Sequence, residues 1–334
     1  MSEAIVQVTR GSIVESCHRG SVAVTNGRGD LIAYAGNPDF VTYIRSAAKP
    51  FQAMNILFSG AWEAFGFTEK ELAIMCSSHY GEDFHRETIQ GILKKLGLSH
   101  QDLLCGAPLS INPAYRDRQL WEHLPIDETN SDCSGKHCGF LAVCRKKGYP
   151  IENYTSPQHP MQKELLHIVS TMCSIPEAEI AIGIDGCGVP VHAMPLRNMA
   201  MGYARLTAPA QLEEPYRSAA KRITAAMAAY PEMIAGTGGF CTEFLRHTHG
   251  RFCGKLGAEA VYCIGAAGQD LGIAVKIEDG NYRALYPAVM SVLIQLKLLD
   301  EKERTALQAF SEPDNLNDHG IPVGKIRPCF SLHR

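Results

Sequence analysis

The chain has 334 residues, of which 46% are hydrophobic and 20% are charged, as is usual for a globular protein. Its 32 Lys and Arg residues against 35 Asp and Glu give a formal charge of -3, and no basic run marks a nucleic-acid surface. No stretch approaches the roughly 18–20 apolar residues that span a bilayer, and the N-terminus lacks a signal-peptide pattern. We therefore expect a cytoplasmic protein with neither nucleic acid nor membrane as a partner. The twelve cysteines show no disulfide-scaffold spacing, which predicts reduced thiols.

Strand patterns open the chain, helical patterns follow, and strand patterns return near the end. The first strands are predicted at Ala4–Val8, Ser21–Thr25 and Leu31–Ala35, on either side of turn-forming residues. Helices are predicted at Glu82–Leu96, Gly135–Lys147, Pro160–Met172, Pro195–Ala204, Ala210–Ala229 and Ala288–Leu299. The late strands are predicted at Glu259–Ile264, Leu271–Ile277 and Ile321–Ile326.

Early and late strands usually meet in one sheet, with the segment between them inserted. We therefore predict an α+β fold in which an antiparallel sheet is built from the N- and C-terminal segments. The sheet part would comprise about 1–44 and 251–334, and an inserted helical block about 45–250, all within one domain of residues 1–334.

A Ser-x-x-Lys pattern, Ser46-Ala47-Ala48-Lys49, is the first candidate for catalysis. On a helix these two side chains share a face, and a desolvated, neutral lysine can take the serine proton. Ser218-Ala219-Ala220-Lys221 matches equally well, but Ser218 is expected on the surface inside a long helix. Ser46 follows extended residues and precedes a predicted helix start, where backbone N–H groups can form an oxyanion hole.

Two further segments follow in the order seen in penicillin-binding proteins and related serine enzymes. Ser77-Ser78-His79 follows an apolar helix, and Lys255-Leu256-Gly257 borders the first late strand. Taken alone, Lys255 fits a solvated strand end equally well.

Cys133-Ser134-Gly135-Lys136-His137 and Asp185-Gly186-Cys187-Gly188 are the other unusual segments. The glycines around Cys187 predict a tight turn after a strand. Two cysteines and a nitrogen donor are able to hold zinc, although the spacing fits no ordinary zinc ribbon. Cys133 with His137 as its base, or a buried cysteine beside a helix start, remain alternatives.

Together these segments resemble the Rhizobium-type (class 3, thermolabile-type) L-asparaginase family, over essentially the whole chain. The resemblance implies a fold similar to serine β-lactamases, penicillin-binding proteins and glutaminases. It also implies a homodimer that hydrolyses L-asparagine to L-aspartate and ammonia.

The family's residues carry over to matching positions of this sequence. Ser46 with Lys49 would form one Ser–Lys pair, and Ser78 with Lys255 the other. The resemblance implies zinc ligands at Cys133, Lys136 and Cys187, with Asp185 beside them.

For the substrate, we expect Ser46 to form an acyl-enzyme, with neutral Lys49 as its general base. A zwitterionic substrate needs a cation and an anion. Arg45 is our candidate for the α-carboxylate, Asp185 and Glu259 are candidates for the α-ammonium, and His137 is assigned to substrate binding as well. Three alternatives remain: a glutaminase or other small-amide amidase, a thiol hydrolase using Cys133 and His137, and a non-catalytic amino-acid-binding protein.

Overall fold

The computed structural model describes residues 1–334 and contains eleven strands and thirteen α-helices. The strands are β1 (Glu3–Arg10), β2 (Ile13–Thr25), β3 (Leu31–Ala35), β4 (Val41–Tyr43), β5 (Ala181–Ile184), β6 (Pro190–Pro195), β7 (Phe252–Gly257), β8 (Val261–Ala266), β9 (Leu271–Ile277), β10 (Asp314–Leu316) and β11 (Pro322–Pro328). The first eight helices are α1 (Lys49–Gln52), α2 (Met54–Phe58), α3 (Ala61–Phe65), α4 (Glu69–Met75), α5 (Asp83–Leu96), α6 (Pro113–Trp121), α7 (Ser134–Lys147) and α8 (Pro160–Cys173). The others are α9 (Leu196–Thr207), α10 (Tyr216–Ala229), α11 (Phe240–Thr248), α12 (Tyr282–Gln295) and α13 (Glu301–Ala306).

The chain divides into two compact units. The sheet unit comprises Met1–Ala47, Met194–Ala208 and Glu243–Arg334, and the helical unit comprises Ala48–Ala193 and Pro209–Thr242. None of the helices combines the length and the apolar character needed to cross a membrane. The prediction of a single domain stays a prediction.

The sheet unit contains an antiparallel sheet in the order β10-β11-β1-β2-β9-β8-β7, with β3 also paired to β2. Strands from the two ends of the chain meet directly, because Val6 on β1 pairs with Pro328 on β11, and Val22 on β2 pairs with Val275 on β9. This confirms the predicted mixture of helices and strands and the antiparallel sheet of early and late segments. The likeness to serine β-lactamases stays a prediction.

The helical unit is organised around α7. Every residue of this helix from Ser134 to Cys144 is buried, because α2, α3, α4, α5 and α8 all pack against it. Most of these residues are small or apolar, which allows neighbours on every side. At the start of α7, a side chain at Gly135 would place its Cβ 2.1 Å from the carbonyl oxygen of Ile74. Glycine there lets the start of α7 approach the end of α4.

Two strands, β3 and β9, have the predicted bounds. Among the helices, α4 begins with a capping box of Thr68 and Glu71, and Gly97 ends α5 in a left-handed conformation.

Several predicted bounds were wrong. β2 begins at Ile13 rather than Ser21, and α10 begins at Tyr216 rather than Ala210. α12 begins at Tyr282 rather than Ala288, because Asn281 caps it and Pro287 is accommodated inside the helix. β8 begins at Val261 rather than Glu259, since Glu259 and Ala260 have left-handed φ angles of 60° and 53°. Ser218 lies near the start of α10 and is exposed, as the sequence predicts.

Candidate active site

Ser46 lies in the sheet unit, in a 3-10 segment of Arg45–Ala48 that leads directly into α1. The residue before it, Arg45, has a left-handed φ of 52°, a conformation that strains a residue with a side chain. The segment is held by Tyr203, whose hydroxyl donates to the carbonyl oxygen of Ala47 at 2.8 Å. Ser46 is half-buried, and a helix start follows it as the sequence predicts.

Lys255 also lies in the sheet unit, on β7, and is fully buried. Its Nζ donates to the carbonyl oxygen of Leu256 at 2.7 Å. Two residues further on, a Cβ at Gly257 would lie 2.7 Å from the carbonyl oxygen of Ile44 and 3.4 Å from the amide nitrogen of Ala47. Glycine is required there because the segment carrying Ser46 crosses β7 at this point. The Lys-x-Gly strand and Ser46 are therefore neighbours within the sheet unit.

Lys49 lies in the helical unit as the first residue of α1 and is 1% exposed. Its Nζ donates to the carbonyl oxygen of Ser77 at 2.6 Å and to Ser78 Oγ at 3.0 Å. It also donates to the carbonyl oxygen of Asp132 at 3.2 Å and lies 3.5 Å from Asp132 Oδ2. Three acceptors match the three donors of an ammonium group. Lys49 thus joins the serine motif at 77–79 to the segment before Cys133.

The loop that carries Ser78 is fixed by its backbone and by His79. The amide of Ser78 donates to the carbonyl oxygen of Ile234 at 3.0 Å. His79 Nδ1 accepts from the amide of Gly81, so its proton is on Nε2, which donates to Ser134 Oγ at 2.8 Å. Burial lowers the pKa of His79 well below its usual value. His79 is therefore a neutral structural link between the loop and the start of α7.

Cys133, Lys136 and Cys187 meet in the helical unit, with Cys133 at the start of α7 and Cys187 in the turn between β5 and β6. Lys136 Nζ donates to Cys187 Sγ at 3.0 Å. A hydrogen bond from Cys133, aided by the Lys136 ammonium, lowers the pKa of Cys187 well below its usual value against the opposing effect of burial. The same hydrogen bond and burial raise the pKa of Cys133. The two sulfurs therefore lie close together, and Cys133 Sγ also donates to Asp132 Oδ2 at 3.5 Å.

The charge on Lys136 follows from the same neighbours. Burial alone would lower the pKa of Lys136, but the two sulfurs and the Asp185 carboxylate outweigh burial and raise it. Histidine, cysteine, aspartate and glutamate side chains form no cluster of three able to hold a metal. Two sulfurs and one amine nitrogen are nevertheless a donor set that suits zinc, a borderline-soft ion. A metal at this place would need the amine of Lys136 as a ligand.

His137 is fully buried on α7. Its Nδ1 lies 2.7 Å from Tyr154 Oη, which accepts from the amide of Leu104. Its Nε2 has no hydrogen-bond partner, and burial lowers the pKa of His137. Cys187 opposes that shift, so its sulfur lies close to the His137 imidazole.

The two acidic candidates lie in turns of different units. Asp185 begins the β5–β6 turn, where its amide donates to the carbonyl oxygen of Val189 at 2.8 Å. Glu259 lies in the left-handed turn between β7 and β8, in the sheet unit, and is exposed.

The sequence reasoning missed two residues of this region. Asp132 contacts Lys49, and the feature of the sequence that could have identified it is its position directly before the Cys133 motif. Lys276 is a buried lysine on β9, and its signal was a single charge within an apolar strand.

Comparisons with known proteins were made on sequence and on structure. No curated protein matches the chain. Solved structures of Mglu do match: in its native form it is 14% identical, with a TM-score of 0.39 over 85% of this chain and 66% of that one. In its glutamate form Mglu is also 14% identical, with a TM-score of 0.39 over 84% of this chain and 61% of that one. The chain therefore spans just under two thirds of these Mglu chains.

A family model described as L-asparaginase II matches residues 6–328, nearly the whole chain. The match agrees with the resemblance to L-asparaginases that the sequence motifs predict. The chain belongs to the L-asparaginase II family.

Proposed function

We propose that the chain hydrolyses the side-chain amide of L-asparagine to L-aspartate and ammonia through an acyl-enzyme on Ser46. The narrower Rhizobium-type assignment and a serine β-lactamase-like fold are part of this proposal. The observation that supports a Ser–Lys mechanism is the hydrogen bond of 3.0 Å from Lys49 Nζ to Ser78 Oγ, although the resemblance pairs Lys49 with Ser46 and Ser78 with Lys255. This bond joins two of the predicted catalytic motifs around one fully buried amine.

In the first half of the reaction, Ser46 Oγ attacks the side-chain carbonyl carbon and passes its proton to a neutral lysine amine, Lys49 in our assignment. Backbone N–H groups at the start of the 3-10 segment would stabilise the oxyanion, a contribution of about 3–4 kcal/mol for one donor. The C–N bond then breaks, and the proton leaves with ammonia. Water hydrolyses the resulting ester, which releases L-aspartate and restores Ser46 O–H.

The second pair, Ser78 with Lys255, would relay the proton to the departing ammonia. Lys49 in its resting contacts fills all three donors of an ammonium group, so it must lose one proton before it can act as a base. Its hydrogen bond to Ser78 Oγ offers that proton a path. Substrate binding would use Arg45 for the α-carboxylate, Asp185 and Glu259 for the α-ammonium, and His137 as a further polar contact.

We test this proposal by ammonia release from L-asparagine with the purified protein and with Ser46→Ala. Ser218→Ala is the matched control, because Ser218 belongs to the second Ser-Ala-Ala-Lys sequence and lies exposed on α10. We expect release from the wild type and the control and none from Ser46→Ala. If Ser46→Ala still releases ammonia, the nucleophile is Ser78 or Cys133 instead.

The alternatives give different outcomes in the same assay. Faster turnover of L-glutamine than of L-asparagine would identify a glutaminase. Inactivation by Cys133→Ser with survival of Ser46→Ala would identify a thiol hydrolase. Heat of binding without ammonia would identify a binding protein.

Zinc belongs to the same proposal, with Cys133, Lys136 and Cys187 as ligands. The ion would tie the start of α7 to the β5–β6 turn and shape the pocket, and no reaction step uses it. Elemental analysis of the native protein should find zinc, and Cys187→Ala should lose it, whereas the exposed Cys17→Ala should keep it. Full retention of zinc by Cys187→Ala would refute this ligand set.

A homodimer and a cytoplasmic location complete the proposal. Sedimentation of the purified protein should give twice the mass of 36.5 kDa. A monomeric mass would remove the dimer from the proposal and leave the chemistry unaffected.

A further inference from the structure

Lys276 is a buried cation with too few partners. It lies on β9 and is 6% exposed. Its Nζ donates a single hydrogen bond, to the backbone carbonyl oxygen of Glu259, and no carboxylate lies within ion-pair distance. An ammonium group has three donors, and a buried charge without an opposite charge is unfavourable. Two donors of Lys276 are therefore available to a ligand.

The sheet register places Lys276 on the same face as the segment that carries Ser46. Gly257 on β7 pairs with Val261 on β8, and Val261 pairs in turn with Lys276 on β9. Residues directly opposite each other in a sheet project from the same face. A side chain at Gly257 would point into Ile44 and Ala47. Lys276 therefore projects toward the side of the sheet on which the segment of Ile44–Ala47 lies.

Neighbouring charges strengthen this placement. Burial lowers the pKa of Lys276, Glu259 and Asp279 oppose that shift, and Arg45 adds to it. Arg45 and Lys276 thus act on one another as two cations of the sheet unit. Glu259, Glu278 and Asp279 offset part of this positive charge, but none of them lies within ion-pair distance of Lys276, so the two cations can still attract an anion.

We propose that Lys276 is a specificity-determining residue that binds the α-carboxylate of the substrate together with Arg45. This inference rests on the proposed function, since it assigns the acidic group of L-asparagine to this pair of cations. The hydrogen bond from Lys276 to Glu259 also holds the turn that presents the Glu259 carboxylate. One buried amine would thus position both charges that recognise an α-amino acid.

The test compares L-asparagine with 3-aminopropanamide, the same molecule without its α-carboxylate. Lys276→Met should lower kcat/KM for L-asparagine about ten- to hundredfold, mainly through KM, because it removes a charge-assisted hydrogen bond. It should change kcat/KM for 3-aminopropanamide by less than about threefold. Lys276→Arg, which keeps the charge, should stay closer to the wild type. Lys325→Met is the matched control, an exposed lysine on β11 paired with Asp314.

If Lys276 has only a structural role, Lys276→Met should lower kcat/KM equally for both substrates. That result would overturn the inference. If Lys276→Met does not fold, Lys276→Gln carries the test, because its amide can still donate to Glu259. Failure of both variants to fold would make the role structural and would also overturn the inference.

Calorimetric binding of L-aspartate separates this inference from the proposed function. If the wild type releases no ammonia, the proposed function fails, and the binding data decide the role of Lys276 alone. Weaker L-aspartate binding by about tenfold or more in Lys276→Met supports the inference. Unchanged binding in that variant, or no binding to the wild type, refutes it.

Discussion

Lys49 and Lys276 are both buried lysines, yet their surroundings differ. In the helical unit, Lys49 donates to three oxygens and lies 3.5 Å from the Asp132 carboxylate. In the sheet unit, Lys276 donates to one carbonyl oxygen, and no carboxylate lies within ion-pair distance of it. The number of polar partners, rather than the depth of burial, separates the two.

This difference assigns them different roles. A fully satisfied ammonium stabilises the segments that it joins, and removing it leaves their oxygens without a donor. An under-satisfied ammonium contributes little to the folded state and gains most from a ligand. Lys49 should therefore matter to both stability and catalysis, and Lys276 chiefly to substrate recognition.

The largest expected effect comes from making the same substitution at both lysines. Lys49→Met should lower the free energy of unfolding by about 3 kcal/mol, because it leaves two buried carbonyl oxygens without a donor and removes the cation beside the Asp132 carboxylate. It should also reduce turnover about a thousandfold through loss of the base. Lys276→Met should change the free energy of unfolding by no more than about 1 kcal/mol. Urea unfolding of both variants, measured with the wild type, gives the comparison, and equal losses would show that partner number does not separate the two lysines.

His85 extends the comparison of the two buried lysines to a buried basic group that can become neutral. Burial lowers the pKa of His85 from 6.5 to about 4, and its Nδ1 has no hydrogen-bond partner. Between these two pH values the unfolded chain binds a proton that the folded chain does not, so stability falls as the pH falls from 6.5 toward 4. The loss should reach about 2.5 kcal/mol at pH 4.5.

The measurement is urea unfolding at pH 7 and pH 4.5. His85→Gln should remove that part of the pH dependence, because its amide does not titrate and can still donate to Glu232. The exposed His319→Gln is the control and should leave the dependence as it is. If the free energy of unfolding of His85→Gln depends on pH as that of the wild type does, His85 is protonated in the folded protein.

The smallest effect concerns the approach of β7 to the segment of Ser46. Gly257→Ala places a Cβ 2.7 Å from the carbonyl oxygen of Ile44, which should lower the free energy of unfolding by about 2 kcal/mol and kcat about tenfold. Gly91→Ala is the control, because Gly91 lies inside α5 with no atom within 4 Å of a new Cβ. That control should gain up to about 1 kcal/mol in the free energy of unfolding, as alanine favours helices. Thermal unfolding and initial rates check both, and normal kcat in Gly257→Ala would show that Ser46 does not depend on this contact.

Much of the fold follows from local patterns in the sequence. The side chains of β9 are buried on both faces of the sheet, and turns lie before and after the strand. Its bounds could therefore be predicted from hydrophobicity. α12 could not, because Pro287 looks like a helix start, whereas the Asn281 cap upstream decides where the helix begins. Glu259 was predicted in a strand because nothing local reveals that its φ is left-handed.

The site shows the same limit. The motifs around Ser46, Ser78 and Cys133 are contiguous and could be identified, but the contacts between motifs depend on tertiary packing. The contact of Lys49 with Ser78 spans 29 residues and that with Asp132 spans 83. Lys276 belongs to no motif at all, and only the pairing of β7, β8 and β9 gives it a role.

The place of β1 in the sheet has a consequence for how the protein is made. A ribosome delivers β1, β2 and β3 first, whereas β9 and β11, which pair with β2 and β1, emerge last. During most of synthesis, the early strands therefore present unpaired edges, which are prone to join the edges of other chains. Slow translation of the helical block would lengthen that exposure. The yield of active enzyme in a cell should thus depend on chaperones that cover the nascent sheet until its last strand arrives.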